Sequence, residues 1–194
     1  MPPLLKTVKN YPMESTLKIK NYNRDIMDWK QFPDYDWLWC DPPWEQGLVK
    51  MFQTMMLKQT GKTVDHTIDE ILSQLGKLAN PNKPLVVEYG VKGVERVEYI
   101  LKQHGHTHFK TFTRTQTQKD RPYKIVVFNS TITPSMSKGF AGVTETALQY
   151  KPKIVFDPFA GIGASAKAFR KAGVTYIGSE LNPARYAKLV QRNP

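Results

Sequence analysis

Asp41-Pro42-Pro43-Trp44 is the stretch whose residue types and spacing point most directly to chemistry. It follows Tyr35-Asp36-Trp37-Leu38-Trp39-Cys40, which reads as a buried strand. A carboxylate at the mouth of an apolar strand is costly unless it is used or paired. Pro42 and Pro43 remove two backbone donors and fix two φ angles. The corner therefore presents a carboxylate, carbonyls with no competing N–H groups, and an aromatic face. Such a set suits a planar substrate carrying an NH2 group. The carboxylate and a carbonyl would accept its hydrogens while the ring stacks on Trp44. An ordinary strand-to-loop stop at two prolines is the structural alternative.

A second motif lies far downstream, at Ile154-Val155-Phe156-Asp157-Pro158-Phe159-Ala160-Gly161-Ile162-Gly163-Ala164-Ser165. An apolar strand feeds an acid and a glycine-containing turn, and a helix opens at about Ala164. Gly161 and Gly163 allow a tight turn and the close approach of a ligand. This is the pattern of the first βα turn of a nucleotide-binding sheet. A further strand, Thr175-Tyr176-Ile177-Gly178, ends on Glu180, where an acid would meet ribose hydroxyls. A purely structural βα turn is the competing reading.

Together the two motifs resemble those of the amino-methyltransferases that use S-adenosylmethionine. DPPW at 41–44 resembles their catalytic motif, and DPFAGIG at 157–163 their cofactor motif. The catalytic motif comes first, which is the permuted order of the beta group of DNA adenine-N6 and cytosine-N4 methyltransferases. The resemblance spans about 17–192. It implies an α/β fold of the Rossmann-like class I methyltransferase type, circularly permuted. The sheet would be mostly parallel and seven-stranded, with an antiparallel closing hairpin. It implies S-adenosylmethionine as cofactor, held by Asp25, Asp157, Phe159, Ala160, Gly161, Gly163, Ala164, Glu180 and Asn182. In the family a lysine-containing segment precedes the helix before the cofactor strand, and Lys138 is the nearest match. The usual His-Pro-Thr-Gln-Lys-Pro wording is absent. Asp41, Pro42, Pro43 and Trp44 become the catalytic set. Asp in the first position favours adenine over cytosine. Trp in the last is shared with mRNA adenosine methyltransferases, so RNA stays open as a substrate beside DNA.

The chemistry implied is spare. The lone pair of an exocyclic NH2 is delocalised into its ring and is a poor nucleophile. Asp41 and the Pro42 carbonyl would accept its two hydrogens and favour a more tetrahedral nitrogen. The sulfonium methyl is already activated, so no metal is called for. What remains is in-line positioning and electrostatic stabilisation. A base inside a duplex cannot reach such a pocket and must flip out.

The chain has 194 residues, 40% of them hydrophobic, enough for a substantial core. Its 28 Lys+Arg outnumber 17 Asp+Glu, giving a formal net charge of +11, which favours a polyanionic partner. Cys40 stands alone, which excludes an intramolecular disulfide. No apolar run approaches a membrane span and no signal-peptide core opens the chain. The expectation is a cytoplasmic protein of a bacterial or phage-infected cell, in a restriction-modification or phage setting. A homodimer or a partner subunit stays open. A non-catalytic nucleic-acid-binding subunit is the alternative class; the intact Asp41–Trp44 and Gly161/Gly163 weigh against it.

These residues need elements to hold them. Residues 1–15 read as a flexible arm, and 16–194 as one methyltransferase domain without a separate target-recognition module. Residues 17–22 alternate like a strand, and a short helix is expected at 26–30. Residues 46–57 read as a helix whose methionines are adaptable packing. Thr67 and Glu70 have capping-box spacing, and Ile68, Ile71, Leu72, Leu75 and Leu78 form one helical face. A buried strand at 85–89 and a helix lined by Val94, Val97, Ile100 and Leu101 follow. His104, His106 and His108 alternate, read as a polar strand entry rather than a metal set. Strands at 109–113 and 123–129 are joined by a basic, amide-rich connection. Its Arg114, Gln116, Gln118, Lys119 and Arg121 are candidates for phosphate and base contact. Residues 130–142 are expected to loop toward the site before a helix at 143–150. Asn182 is a good N-cap, with Pro183 at the first helical position.

Overall fold

The computed structural model describes residues 20–117 and 120–192. The arm at 1–15, the first part of the 17–22 strand, and Gln118 and Lys119 lie outside the described residues. The chain runs β1 (Lys20–Asn23), a 3-10 turn (Ile26–Asp28), β2 (Trp37–Cys40), α1 (Gln46–Thr60), α2 (Ile68–Leu78), β3 (Leu85–Gly90) and α3 (Val94–Gln103). It continues through β4 (His108–Thr115), β5 (Pro122–Phe128), α4 (Gly139–Tyr150), β6 (Ile154–Asp157), α5 (Ala164–Lys171), β7 (Thr175–Glu180) and α6 (Pro183–Arg192).

The strands form one seven-stranded sheet in the order β1-β7-β6-β2-β3-β5-β4. Only β5 runs against its neighbours, pairing antiparallel with β3 and β4. Apolar residues occur on both faces of the central strands because both faces are covered. In β2, Leu38 and Cys40 pack with α2 and α3 in one core, while Trp37 and Trp39 pack with α4 and α5 in the other. The alternation of side chains along a strand divides these residues between two layers.

The helices follow their local signals. Thr67 caps α2 through a reciprocal capping box with Glu70, and Ile68, Ile71, Leu72 and Leu75 are buried beneath it. Gly61, with φ 69, ends α1 in the left-handed conformation, so that helix runs beyond the expected 57. The expected helix at 26–30 is a single 3-10 turn capped by Asp25. Helix α4 begins at Gly139 rather than 143, so Phe140 and Val143 both reach the cavity described below. The three alternating histidines take separate partners: His104 bonds Ser73, His106 bonds Gly76 O and Asn129, and His108 bonds Thr111.

Candidate active site

Strands β6 and β2 are parallel neighbours, with Phe156 level with Leu38. From β6 the order continues through β7 to β1; from β2 it continues the other way through β3. A crevice opens at the carboxyl ends of such a pair, where open α/β sheets bind ligands. Asp157 closes β6 and Asp41 follows β2, so both motifs meet there. A cavity of about 400 Å³ fills the crevice, a size suited to a small-molecule site.

On the β2 side, Asp41, Pro42, Pro43 and Trp44 all line the cavity. The Trp44 indole Nε1 donates to Asp41 Oδ1 at 2.6 Å. The Trp44 ring lies nearly parallel to Tyr123, 18° between planes and 6.2 Å between centroids. Gly90 leaves room for it, since a Cβ there would sit 3.1 Å from Trp44 Cε3. Trp44 thus stands braced at one side and fixes one oxygen of Asp41. Enclosure by protein is the main cause that pushes the Asp41 carboxyl up to about 8, with the charge of Glu88 next and the Trp44 bond opposing. Asp41 itself opens onto the cavity space, so the rise is fully expressed only when a ligand closes that space to solvent.

On the β6 side, both Asp157 oxygens are engaged by the chain. Oδ1 accepts the Phe159 N–H at 2.9 Å, and Oδ2 accepts hydroxyls of Ser165 at 2.7 Å and Tyr176 at 2.9 Å. Burial pushes its carboxyl up to about 6 while these bonds pull the other way. Asp157 therefore shapes the turn. Phe159, Ala160, Gly161 and Ala164 then line the cavity. Gly161 has φ 59 and Gly163, at the start of α5, φ 83, a region that favours glycine. A Cβ at Gly161 would come within 2.8 Å of the Arg185 guanidinium. Gly163 is set back from the cavity lining, its N–H donating to Ala160 O at 3.0 Å.

Glu180, Asn182 and Asp25 close the same end. Glu180 Oε1 accepts the Asn182 N–H at 2.9 Å, and its Oε2 lies 3.7 Å from Arg185 Nε. Burial raises the Glu180 carboxyl above its ordinary range. Asn182 caps α6 by accepting the Arg185 N–H at 3.0 Å. Asp25 Oδ1 accepts the Met27 N–H and Oδ2 meets His66 Nε2, each at 3.0 Å.

Two expectations are corrected. Lys138 does not line the cavity; its Nζ bonds Asp120 at 2.6 Å and ties the start of α4 to the hairpin connection. An exposed partner carboxylate lies within its reach, so the side chain turns outward. Arg114 is not on the connection but inside β4, with its side chain fully buried. It turns inward because the Ser135 carbonyl accepts from its Nη2 at 2.6 Å and from its Nε at 3.1 Å, while Glu88 lies beyond. It cannot meet phosphate from there. Gln116, whose N–H donates to Arg121 O at 2.9 Å, and exposed Arg121 remain on the connection.

Among the cavity or near-cavity residues that the sequence does not single out are Glu88, Tyr123, His66 and Arg185. A charged residue within an apolar strand, Leu85-Val86-Val87-Glu88, was the one available signal. The others depend on contacts between distant segments.

No family model and no curated protein matches the chain. Solved structures do. M1.HpyAVI in complex with SAM superposes with a TM-score of 0.63 at 15% identity, over 90% of this chain and 100% of that one. TTHA0409 from Thermus thermophilus, assigned as a DNA modification methylase and bound to S-adenosyl-L-methionine, gives 0.61 at 13%, over 90% and 93%. The PvuII cytosine-N4-specific DNA methyltransferase gives 0.56 at 14%, over 90% and 86%. The likeness is one of fold. It bears out the mixed α/β, mostly parallel seven-stranded sheet with its antiparallel pair.

Proposed function

We propose that this protein transfers a methyl group from S-adenosylmethionine to the exocyclic amine of a base in DNA, and specifically to adenine N6. The observation that carries the reading is the meeting of the two motifs across one cavity. A strand-end carboxylate with a braced aromatic faces a glycine turn backed by a second strand-end acid. The solved proteins of like fold include two bound to S-adenosylmethionine and two named as DNA-modifying methylases, which supports the same reading.

The residues fit the cofactor. Gly161 brings backbone to the cavity wall without a Cβ, and Glu180 directs a carboxylate into the space where ribose hydroxyls would lie. Asp25 reaches the same end beside His66. When bound, the cofactor supplies a methyl group already activated by a sulfonium. Asp41 and the Pro42 carbonyl accept the amine hydrogens, and Trp44 offers its ring to the base. Positioning and electrostatics at this corner lower the barrier. Asp41 in the leading position favours adenine. Cytosine N4 is the nearest alternative, because the PvuII enzyme of like fold is named for it.

The reading also takes DNA as the partner of a chain with net charge +11, through the exposed connection at Gln116 and Arg121. The test is incubation of the purified chain with tritiated cofactor and DNA or RNA, followed by hydrolysis and separation of the nucleosides. Label in N6-methyladenosine of DNA is the expected result. Label in N4-methylcytosine or only in RNA would move the target, and no label would remove the function.

A further inference from the structure

Glu88 stands beside Asp41 for a reason that the sheet register makes plain. Cys40 is level with Val87 on the neighbouring parallel strand, so Asp41, just past β2, comes next to Glu88 within β3. Both line the cavity. Each has one oxygen held by an indole: Trp44 Nε1 donates to Asp41 Oδ1 at 2.6 Å, and Trp39 Nε1 donates to Glu88 Oε1 at 3.2 Å. Asp41 Oδ2 and Glu88 Oε2 accept no hydrogen bond from the described residues. Behind Glu88 lies the buried Arg114 guanidinium, whose Nη1 makes no hydrogen bond and sits 3.5 Å from Glu88 Oε1. The structure thus holds two carboxylates on the cavity lining and one buried cation behind them, a group with a net charge of −1 when both acids are ionised.

We propose that Glu88 and Asp41 form one proton-accepting pair, in which Glu88 sets the protonation of Asp41 and shares the proton that the target amine releases on methylation. The proposal rests on the methyltransferase reading and deepens it. The amine nitrogen forms the new N–C bond as the C–S bond breaks, the electron pair of that bond remaining on sulfur. The nitrogen then carries the positive charge and sheds one N–H proton. Asp41, already accepting that hydrogen, takes the proton, and Glu88 shares it until cavity water carries it away. The group of Asp41, Glu88 and Arg114 passes from −1 to neutral, so positive charge on the nitrogen is offset as it develops.

The charged and titratable groups facing the pair are Cys40 at the end of β2, Asp157 on β6, Tyr123 on β5, Arg114 on β4 and Arg185 on α6. Burial pushes Glu88 up to about 7, against the pull of Arg114 and the Trp39 bond. Two interacting acids lose their protons in steps that belong to the pair. Glu88 acts through Asp41, so it is a positioning residue, and its signature is a pH profile.

The experiment is single-turnover methyl transfer measured between pH 5.5 and 9.5 for wild type, Glu88→Gln and Glu88→Asp. Glu88→Gln is expected to lower the plateau rate by about tenfold or more. It is also expected to move the acid limb to lower pH, since Asp41 loses a negative neighbour. Glu88→Asp keeps the charge and should keep the wild-type midpoint with part of the rate. Trp39→Phe serves if Glu88→Gln does not fold: it leaves both acids but removes the donor to Glu88, and the midpoint should rise. A Glu88→Gln plateau within twofold of wild type, or a midpoint unmoved in Glu88→Gln or Trp39→Phe, would overturn the pair. Transfer by wild type with unmoved midpoints defeats this inference alone. Absence of transfer by wild type to any DNA or RNA defeats the function and the pair with it.

Discussion

Asp41 has one oxygen fixed by Trp44 and the other facing the cavity, which gives the two residues separable tests. Asp41→Ala removes the proposed acceptor of the amine hydrogen, and methyl transfer should fall by at least about a hundredfold. Affinity for S-adenosylhomocysteine, measured by calorimetry, should change little, because Gly161 and Glu180 lie at the other end of the cavity. Wild-type turnover in this variant would end the catalytic assignment. Trp44→Phe keeps an aromatic face but removes the indole donor. That bond lowers the Asp41 pKa, so its loss raises it, and the ionised form is reached only at higher pH. The acid limb of the rate profile should therefore move upward in Trp44→Phe, opposite to the shift expected of Glu88→Gln. A downward or absent shift would show that the indole bond does not control Asp41.

At the scale of elements, the site depends on where strands end. β6 and β2 end side by side, and α5 starts from a turn held by Asp157, Ser165 and Tyr176. Gly163 starts that helix at φ 83, where a β-branched residue is strained. Gly163→Val should cost about 1–3 kcal/mol of stability, read by urea unfolding. The same variant should lose S-adenosylhomocysteine binding, since the turn cannot keep its shape. Equal affinity in mutant and wild type would make the turn structural only. Helix α4 bears on the cavity through Phe140 and Val143, and its first turn is linked by Lys138 to the hairpin connection at Asp120.

At the scale of the molecule, the interval from the end of β5 at Phe128 to the start of α4 at Gly139 is short. It cannot house a folded recognition module. Under the proposed function, base readout would fall to the connection with Gln116 and Arg121, to the stretch after Trp44, or to a second subunit. Phosphate contacts from a chain of net charge +11 would dominate affinity. Binding to duplex DNA should drop steeply with salt, with a log–log slope of about −0.9 per phosphate contacted. Methylation should appear at many short contexts, or depend on a dimer or partner for specificity. Sequencing that maps methylated adenines on treated DNA is the check. A single long, strictly defined site modified by a monomer would refute it.

How much of this was legible beforehand differs by residue. The strand before Asp41 and the turn after Asp157 were readable because local rules govern them: apolar runs, prolines, and glycines at fixed spacing. The capping box of α2 was readable for the same reason, since Thr67 and Glu70 lie within one helical turn. The expected sheet class followed from the resemblance that the two motifs carry. Glu88 was visible only as a charge in an apolar strand, without its partner. Arg114 was misplaced because hairpin boundaries are set by pairing, and β4 extends to Thr115 opposite Pro122. Lys138 was assigned by position, whereas its contact is decided by Asp120 on a separate hairpin. Sequence determined where β2 and β6 end and where α2 begins, because those choices are local. Only the tertiary structure decided that Asp41, Glu88 and Arg114 form one electrostatic group, because their strands meet across the sheet from distant parts of the chain.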